Sequence, residues 1–312
     1  MVYVQRIITM SKRVAALDLG TNTFHLIIAD VSEVEIQNIV FKEQRHVKLG
    51  EGGINEGKIT EAALRRGMDA LYAFHQSISQ NKVDSIRAVG TAALRTAKNG
   101  FEFTQIVRHL TGINIEIIDG EREASLIYQG VNKAVNLIDT SLIMDIGGGS
   151  VEFIIADQYS IFWKKSYPIG AAKLMASFHH SDPISESDIH SIENYLDTVL
   201  EDLKSASAEF KPVKLVGSAG SFETFAELCQ LRLQTHTPIT KSFIFDADEL
   251  ESVISEIISS THTERENNTL ILPVRTDMIV VSSVLTKYVL RTLGIKNIEL
   301  STFALREGLL LD

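Results

Sequence analysis

Two short stretches of this chain carry the residue types that handle phosphate. In Leu142–Phe153 an apolar run delivers Asp145, then Gly147, Gly148 and Gly149 follow and Ser150 closes the turn. A second apolar run leaves it, with Glu152 seven positions beyond the aspartate. Residues without a Cβ let backbone N–H groups approach an anion closely, and successive N–H groups form an anion-binding concavity. A carboxylate ending a buried strand can hold a hydrated cation such as Mg²⁺ against that anion. A hairpin with a glycine bulge would read much the same. Repetition favours the phosphate reading: Ala16–Asp30 has the same form, with Asp18, Gly20, Thr21, Asn22 and Thr23 in the turn. Set Asp18 over Asp145, and six of the thirteen pairs down to Asp30 over Asp157 are identical, at an offset of 127 residues. That offset is too long for a solenoid repeat and about one domain in length.

Three further stretches could serve the same chemistry. Gly90–Asn99 begins at the C-terminal end of an expected strand, where ligands of α/β sheets gather, so Arg95 and Lys98 are candidate phosphate binders. Gly217, Ser218, Ala219, Gly220 and Ser221 form a small-residue turn ahead of a helix, a ready anion site. Asp119–Ala124 puts Glu121 and Glu123 in a first helical turn. Acidic residues there usually complement the helix dipole, or one of them can act as a general base. Arg45 and Lys48, beside the glycine-rich loop at Gly50–Gly53, are within reach of a phosphate. The nine histidines show no H-E-x-x-H spacing, and there is no Walker A sequence or G-x-S-x-G elbow.

The elements that must position these residues are legible from periodicity. Arg13–Leu19, Phe24–Val31 and Val34–Lys42 read as a strand meander, repeated by Ser141–Ile146, Val151–Ala156 and Ile161–Tyr167. Helices are expected from Thr60, over Phe101–Leu110, from Asp119 through Val131, over Asp248–Ser259, from Asp277 to Leu293 and over Thr302–Leu311. Ser185 and Asp188 suggest a capping box opening one long helix through Leu203. Further strands are expected at Val83–Val89, Ile113–Ile118, Val213–Val216 and Ile295–Leu300. The pattern implies two similar domains facing one another across a cleft.

With 312 residues and 45% hydrophobic content, the chain has room for two domains with real cores. A net charge of −10 argues against indiscriminate nucleic-acid binding. One cysteine, Cys229, excludes an internal disulfide and suits a reducing compartment. No stretch has the length and apolarity of a membrane span. Residues 1–9 make a poor signal peptide, and Met10 looks like a natural start after a disordered extension. A cytoplasmic protein with neither membrane nor nucleic-acid partner is expected, and a homodimer is left open.

Six blocks spread over residues 13–311 resemble the exopolyphosphatase / guanosine-pentaphosphate phosphohydrolase (Ppx/GppA) family of the actin-like ATPase superfamily. They are Asp18–His25, Gly90–Arg95, Gly120–Ala124, Met144–Glu152, Gly217–Ser221 and Leu305–Gly308. The resemblance implies an α/β fold of two actin-like (ribonuclease-H-like) domains, each a mixed five-stranded sheet flanked by helices, with a cleft between. The boundaries would be residues 1–125 and 126–300, with the last helix, 301–312, packing back on the first domain. It further implies Glu123 as the base activating water, and Asp145 and Glu152 as carboxylates for Mg²⁺ or another divalent cation. The phosphate loops would be Asp18, Gly20, Thr21, Asn22, Thr23, Gly147, Gly148, Gly149, Ser150, Gly217, Ser218, Ala219, Gly220 and Ser221, with Arg95 as phosphate-binding arginine. Ser221 stands where threonine is more usual, and Ser282 where the helix often has glycine; neither touches the implied chemistry. The implied reaction removes terminal phosphate from inorganic polyphosphate. The alternatives are removal of the 5′ γ-phosphate of guanosine pentaphosphate, and a catalytically silent nucleotide-binding regulator. On this resemblance the chain is expected to lack the helical C-terminal extension of longer members.

Overall fold

The computed structural model describes residues 11–33, 35–235 and 237–312. The expected N-terminal extension, the Met10 start and Val34 therefore lie outside the described residues. The first sheet is built from β1 (Lys12–Leu19), β2 (Phe24–Val31) and β3 (Ile36–Arg45). After α1 (Glu61–Gln80) come β4 (Ser85–Gly90), α2 (Ala92–Thr96), α3 (Gly100–Thr111) and β5 (Ile115–Ile117). The order is β3-β2-β1-β4-β5, antiparallel through the meander and parallel from β1 to β5. Helix α4 (Gly120–Ala134), with the Asp119 carboxylate accepting from the Arg122 N–H as N-cap, leads to the second sheet.

That sheet begins with β6 (Ser141–Ile146), β7 (Val151–Ala156) and β8 (Ile161–Tyr167), followed by α5 (Ala171–Phe178), α6 (Glu186–Val199) and α7 (Glu201–Phe210). Then come β9 (Lys214–Ser218), α8 (Ala219–Arg232), β10 (Ser242–Ile244), α9 (Ala247–Ser259) and α10 (His262–Asn267). Helix α11 (Met278–Leu293) and β11 (Asn297–Ser301) complete it, and the last helix, α12 (Leu305–Leu311), packs against α4 and against β1 and β2 of the first sheet. The first sheet's order recurs as β8-β7-β6-β9-β11, the arrangement of two actin-like domains. The second sheet differs from the expected five strands by a sixth, β10, antiparallel to β11. Three residues with Ile244 three-quarters exposed are too short and too wet to leave an alternating signal.

Two departures concern helices. The expected single helix from Ser185 is two, because Leu200 leaves helical geometry at the junction of α6 and α7. Leu196 and Leu203 stay buried on either side of the bend, as does Leu200 within it, so the apolar spacing runs on while the backbone turns. The Ser185 hydroxyl accepts from the Asp188 N–H, but the Asp188 carboxylate is turned to the His180 N–H and the Ser181 hydroxyl, so the box is half formed. The Gly90–Asn99 stretch folds into the short α2.

Strand alternation places the chemistry. Along β1, Ala15, Leu17 and Leu19 enter a core with Phe74 and Val107, while Val14 and Ala16 face the other way. They meet Ile143, Ile154 and Val216 of the second sheet in a central core that also holds Leu126 and Ile127 of α4 and Leu309 of α12. Each such buried Leu or Ile contributes about 1.5–3 kcal/mol. Helices α4 and α12 pack closely because both carry glycine at the crossing. A Cβ on Gly308 would lie 1.8 Å from the Leu126 carbonyl oxygen, and one on Gly130 2.0 Å from that of Ala304. Gly308 in the Leu305–Gly308 block is thus a packing residue. Asp18 and Asp145 are the next residues on the central faces of β1 and β6, where the apolar core gives way to the cleft.

Candidate active site

The two aspartates open matching turns. The Gly20 N–H donates to the Thr23 carbonyl at 3.2 Å, and the Gly147 N–H to that of Ser150 at 3.0 Å. Among the described residues the N–H groups of Thr21, Asn22, Gly148 and Gly149 donate no hydrogen bond. The turns meet across the cleft so closely that a Cβ on Gly148 would lie 2.3 Å from Asn22 Nδ2. Unpaired N–H groups on both rims of one hollow are what an oxyanion needs. Asp18 stands opposite His25 in the register of β1 and β2, and Asp145 opposite Glu152 in that of β6 and β7. The duplication therefore sets His25 where the second domain has Glu152.

The cleft holds about 160 Å³ and is lined by Asp18, both turns, Glu123, Asp145, Glu152 and Ala219–Ser221. Most residues implied by the sequence are thus brought together. Ala219 adopts a left-handed φ of 65° at the start of α8, a local strain that aims this turn. Gly217 and Ser218 belong to β9 and do not line the cleft; the Ser218 hydroxyl donates to Asp145 Oδ2 at 2.5 Å. Arg95 lies in an adjoining groove, where Nη1 donates to Glu123 Oε2 at 2.8 Å and to the Ile118 carbonyl at 3.0 Å. Arg45 is paired with Glu43, and neither Lys48 nor Lys98 lines the cleft.

Three site residues escaped the sequence reading. Arg275 lines the cleft and holds Thr224 Oγ1 at 3.2 Å and Glu223 Oε2 at 3.4 Å. Arg306 Nη1 donates to His25 Nδ1 at 3.1 Å, so that ring nitrogen carries no proton. Met278 Sδ accepts from Asn22 Nδ2 at 3.0 Å across the cleft. Isolated residues in a turn or helix leave no spacing signal, although Arg306 does fall in one of the six blocks.

Burial sets the electrostatics. It pushes the Asp18 carboxyl up to about 8, with Glu123 adding to the rise and Arg306 opposing it. Burial raises Glu123 to about 7 against the pull of Arg95. It raises Asp145 to about 6, against the Ser218 hydrogen bond and Arg306. Glu152, which also accepts from the Ser166 hydroxyl at 2.6 Å, is pushed well above the carboxylate range by burial and then by Glu123 and Asp145. His25 is held well below its usual range by burial and then by Arg306, hence neutral.

The carboxylates outnumber the cations among them, and Asp18 Oδ1 is buried without a hydrogen-bond partner. Hard, under-neutralised oxygens of this kind fit a divalent cation such as Mg²⁺. Among the described residues no three His, Cys, Asp or Glu side chains could enclose a metal by themselves.

A pH dependence follows for metal-free protein. The folded-state values of Asp18, Glu123 and Asp145 lie above those of the free side chains. The folded state then holds protons that the unfolded state has released. This contribution to stability is present below the ordinary carboxylate range and is lost as pH rises through about 6 to 8. With chelator present, the denaturation midpoint is expected to be lower at about pH 8.5 than at about pH 5.5. The reverse order would show that the cluster is not strained by its own charge.

Comparison with known proteins extends beyond the site. The profile of the Ppx/GppA phosphatase family matches residues 27–312. The fold superposes on a crystal structure of an exopolyphosphatase from Cytophaga hutchinsonii with a TM-score of 0.93 and 37% identity, covering 96% of each chain. A Haemophilus influenzae protein named as an inferred exopolyphosphatase is 28% identical over 96% of this chain and 90% of its own. A guanosine-5′-triphosphate,3′-diphosphate pyrophosphatase of Aeromonas hydrophila is 29% identical over 95% of this chain, which spans 58% of that relative. Among the described residues no helix is long and apolar enough to cross a membrane.

Proposed function

The chain belongs to the Ppx/GppA phosphatase family, and from that premise we propose that it hydrolyses the terminal phosphoanhydride bond of inorganic polyphosphate, releasing orthophosphate. One observation carries the reading: a buried glutamate, Glu123, oriented by Arg95, lies on the wall of a cleft rimmed by two duplicated turns with unpaired N–H groups. Phosphoryl transfer asks mainly for positioning, charge neutralisation and a group that orients water. The terminal phosphoryl group sits between the turns, its oxygens on the N–H groups of Thr21, Asn22, Gly148 and Gly149. Glu123 orients a water toward phosphorus and takes its proton. Asp145 and Glu152, with Asp18 beside them, would hold the divalent cation, which neutralises phosphate charge when bound. Arg95 fixes the Glu123 carboxylate and keeps its pKa from rising further. The site works in a cytoplasmic setting without membrane or nucleic-acid partner.

Polyphosphate is favoured over guanosine pentaphosphate by the composition of the walls. Among the described residues lining the cleft there is no Phe, Tyr or Trp on which a guanine could stack. A chain of phosphates needs no such platform. The test is orthophosphate release from long-chain polyphosphate and from guanosine pentaphosphate, side by side with Mg²⁺. The larger kcat/KM is expected for polyphosphate. Release from guanosine pentaphosphate alone would transfer the assignment to that nucleotide, and release from neither would sink the hydrolase reading.

A further inference from the structure

Beside the cleft, behind Ala92, Gly149 and Ser150, lies a second hollow of about 350 Å³ that shares these three residues as a common wall. Arg95, Lys165 and Lys173 line it, with Thr96 and Ser166. Its charges do not cancel. Lys165 is paired with Asp202, and its ammonium lies 4.9 Å from the Tyr167 ring centroid. Glu121, at the rim, is met by Lys164 at 3.6 Å. Arg95 spends Nη1 on Glu123 and Ile118, while its Nε and Nη2 have no partner among the described residues. Lys173 has no carboxylate within ion-pair distance among the described residues, although it is partly buried. Burial, and then the neighbouring Arg95, hold its ammonium below the usual lysine range, a strain that an anion in the groove would relieve.

The position of this hollow says which anion. Gly120 and Glu121, from the first turn of α4, line it, and Arg95 joins it to Glu123, so it lies on the base's side of the cleft. In-line displacement places the attacking water and the leaving chain on opposite sides of phosphorus. The new P–O bond forms toward Glu123, which takes the water's proton. The bridging P–O bond breaks on the far side, and its electron pair stays on the shortened chain. The phosphoryl group thereby inverts toward the groove, which cannot hold the departing chain.

We propose that the groove formed by Arg95, Lys165 and Lys173 is a binding site for product orthophosphate, through which it leaves while the shortened polyphosphate stays in the cleft. The inference rests on the hydrolase reading above. It makes product release independent of chain release, the condition for removing many phosphates in one encounter.

The test is inhibition by inorganic phosphate at several polyphosphate concentrations, for the wild type, Lys173→Met and Lys173→Arg. Methionine keeps the packed stem and removes the charge; arginine restores it. Because groove and cleft can be filled together, wild-type inhibition is expected to be mixed. In Lys173→Met the component that persists at saturating polyphosphate should weaken by about tenfold or more, the worth of a charge-assisted contact. Lys173→Arg should retain it. Purely competitive inhibition in the wild type, or inhibition unaltered in Lys173→Met, would overturn the proposal. Calorimetric titration of the same proteins with inorganic phosphate reads the groove without turnover. Weaker phosphate binding by Lys173→Met supports the site even if no phosphoanhydride is cleaved, and equal binding by both proteins eliminates it.

Discussion

Glu123→Gln is expected to lose about 10²–10⁴-fold in kcat, the usual worth of one general base, with KM little changed. The side chain is 8% exposed and sits 2.8 Å from Arg95, so glutamine keeps its shape and hydrogen-bonding reach but cannot take a proton. Folding should not suffer. A carboxylate raised by burial is itself an electrostatic burden, and its neutral isostere removes that burden. The pH profile separates a catalytic role from a structural one. Because Glu123 sits at about 7, its basic form accumulates as pH rises, and wild-type kcat/KM should climb through about that pH. The climb should vanish in the variant. Glu121→Gln, two positions away, is the comparison: its carboxylate is 59% exposed and turned to Lys164. A dead Glu121→Gln beside an active Glu123→Gln would assign the base to the wrong residue, and activity in both would end the mechanism.

Asp145→Asn is expected to move activity and stability in opposite directions. The carboxylate accepts from the Ser218 hydroxyl, a bond asparagine can keep, so the strand end should hold its geometry. Activity at saturating Mg²⁺ should fall by about 10²–10³-fold, the scale of removing one preorganised electrostatic element from a site. Mg²⁺ is expected to raise the melting temperature of the wild type, and this rise should shrink in the variant, since ligand-linked stabilisation scales with affinity. Without metal at about pH 8, however, the variant should melt higher than the wild type, because one charge of a self-repelling buried cluster is gone. An undiminished Mg²⁺ response would remove Asp145 from the metal site. A lower metal-free melting temperature would show that the carboxylate's hydrogen bonding outweighs its burial.

The sequence by itself determined what depends on short-range pattern. Thirteen paired positions at a fixed offset exposed the duplication, and short apolar runs bounded by glycine turns located β1, β2, β6 and β7 closely enough to put Asp18 and Asp145 at strand ends. The Ppx/GppA resemblance rested on such local blocks, and the family profile bears it out. Only the tertiary structure decided what depends on residues far apart in the chain. No spacing could show that Arg95 faces Glu123 28 positions later, or that Arg306 reaches His25 across 281. Nor could it show that Gly217 and Ser218 lie in a strand while Arg275 turns into the cleft. The bend at Leu200 and the short β10 were hidden for the same reason: periodicity records which face is buried, not where the backbone turns or which edge remains to be paired. The charge of the site was hidden most completely. Aspartates at strand ends look alike in sequence, and it is the closing of two sheets over them, excluding water, that lifts their pKa values.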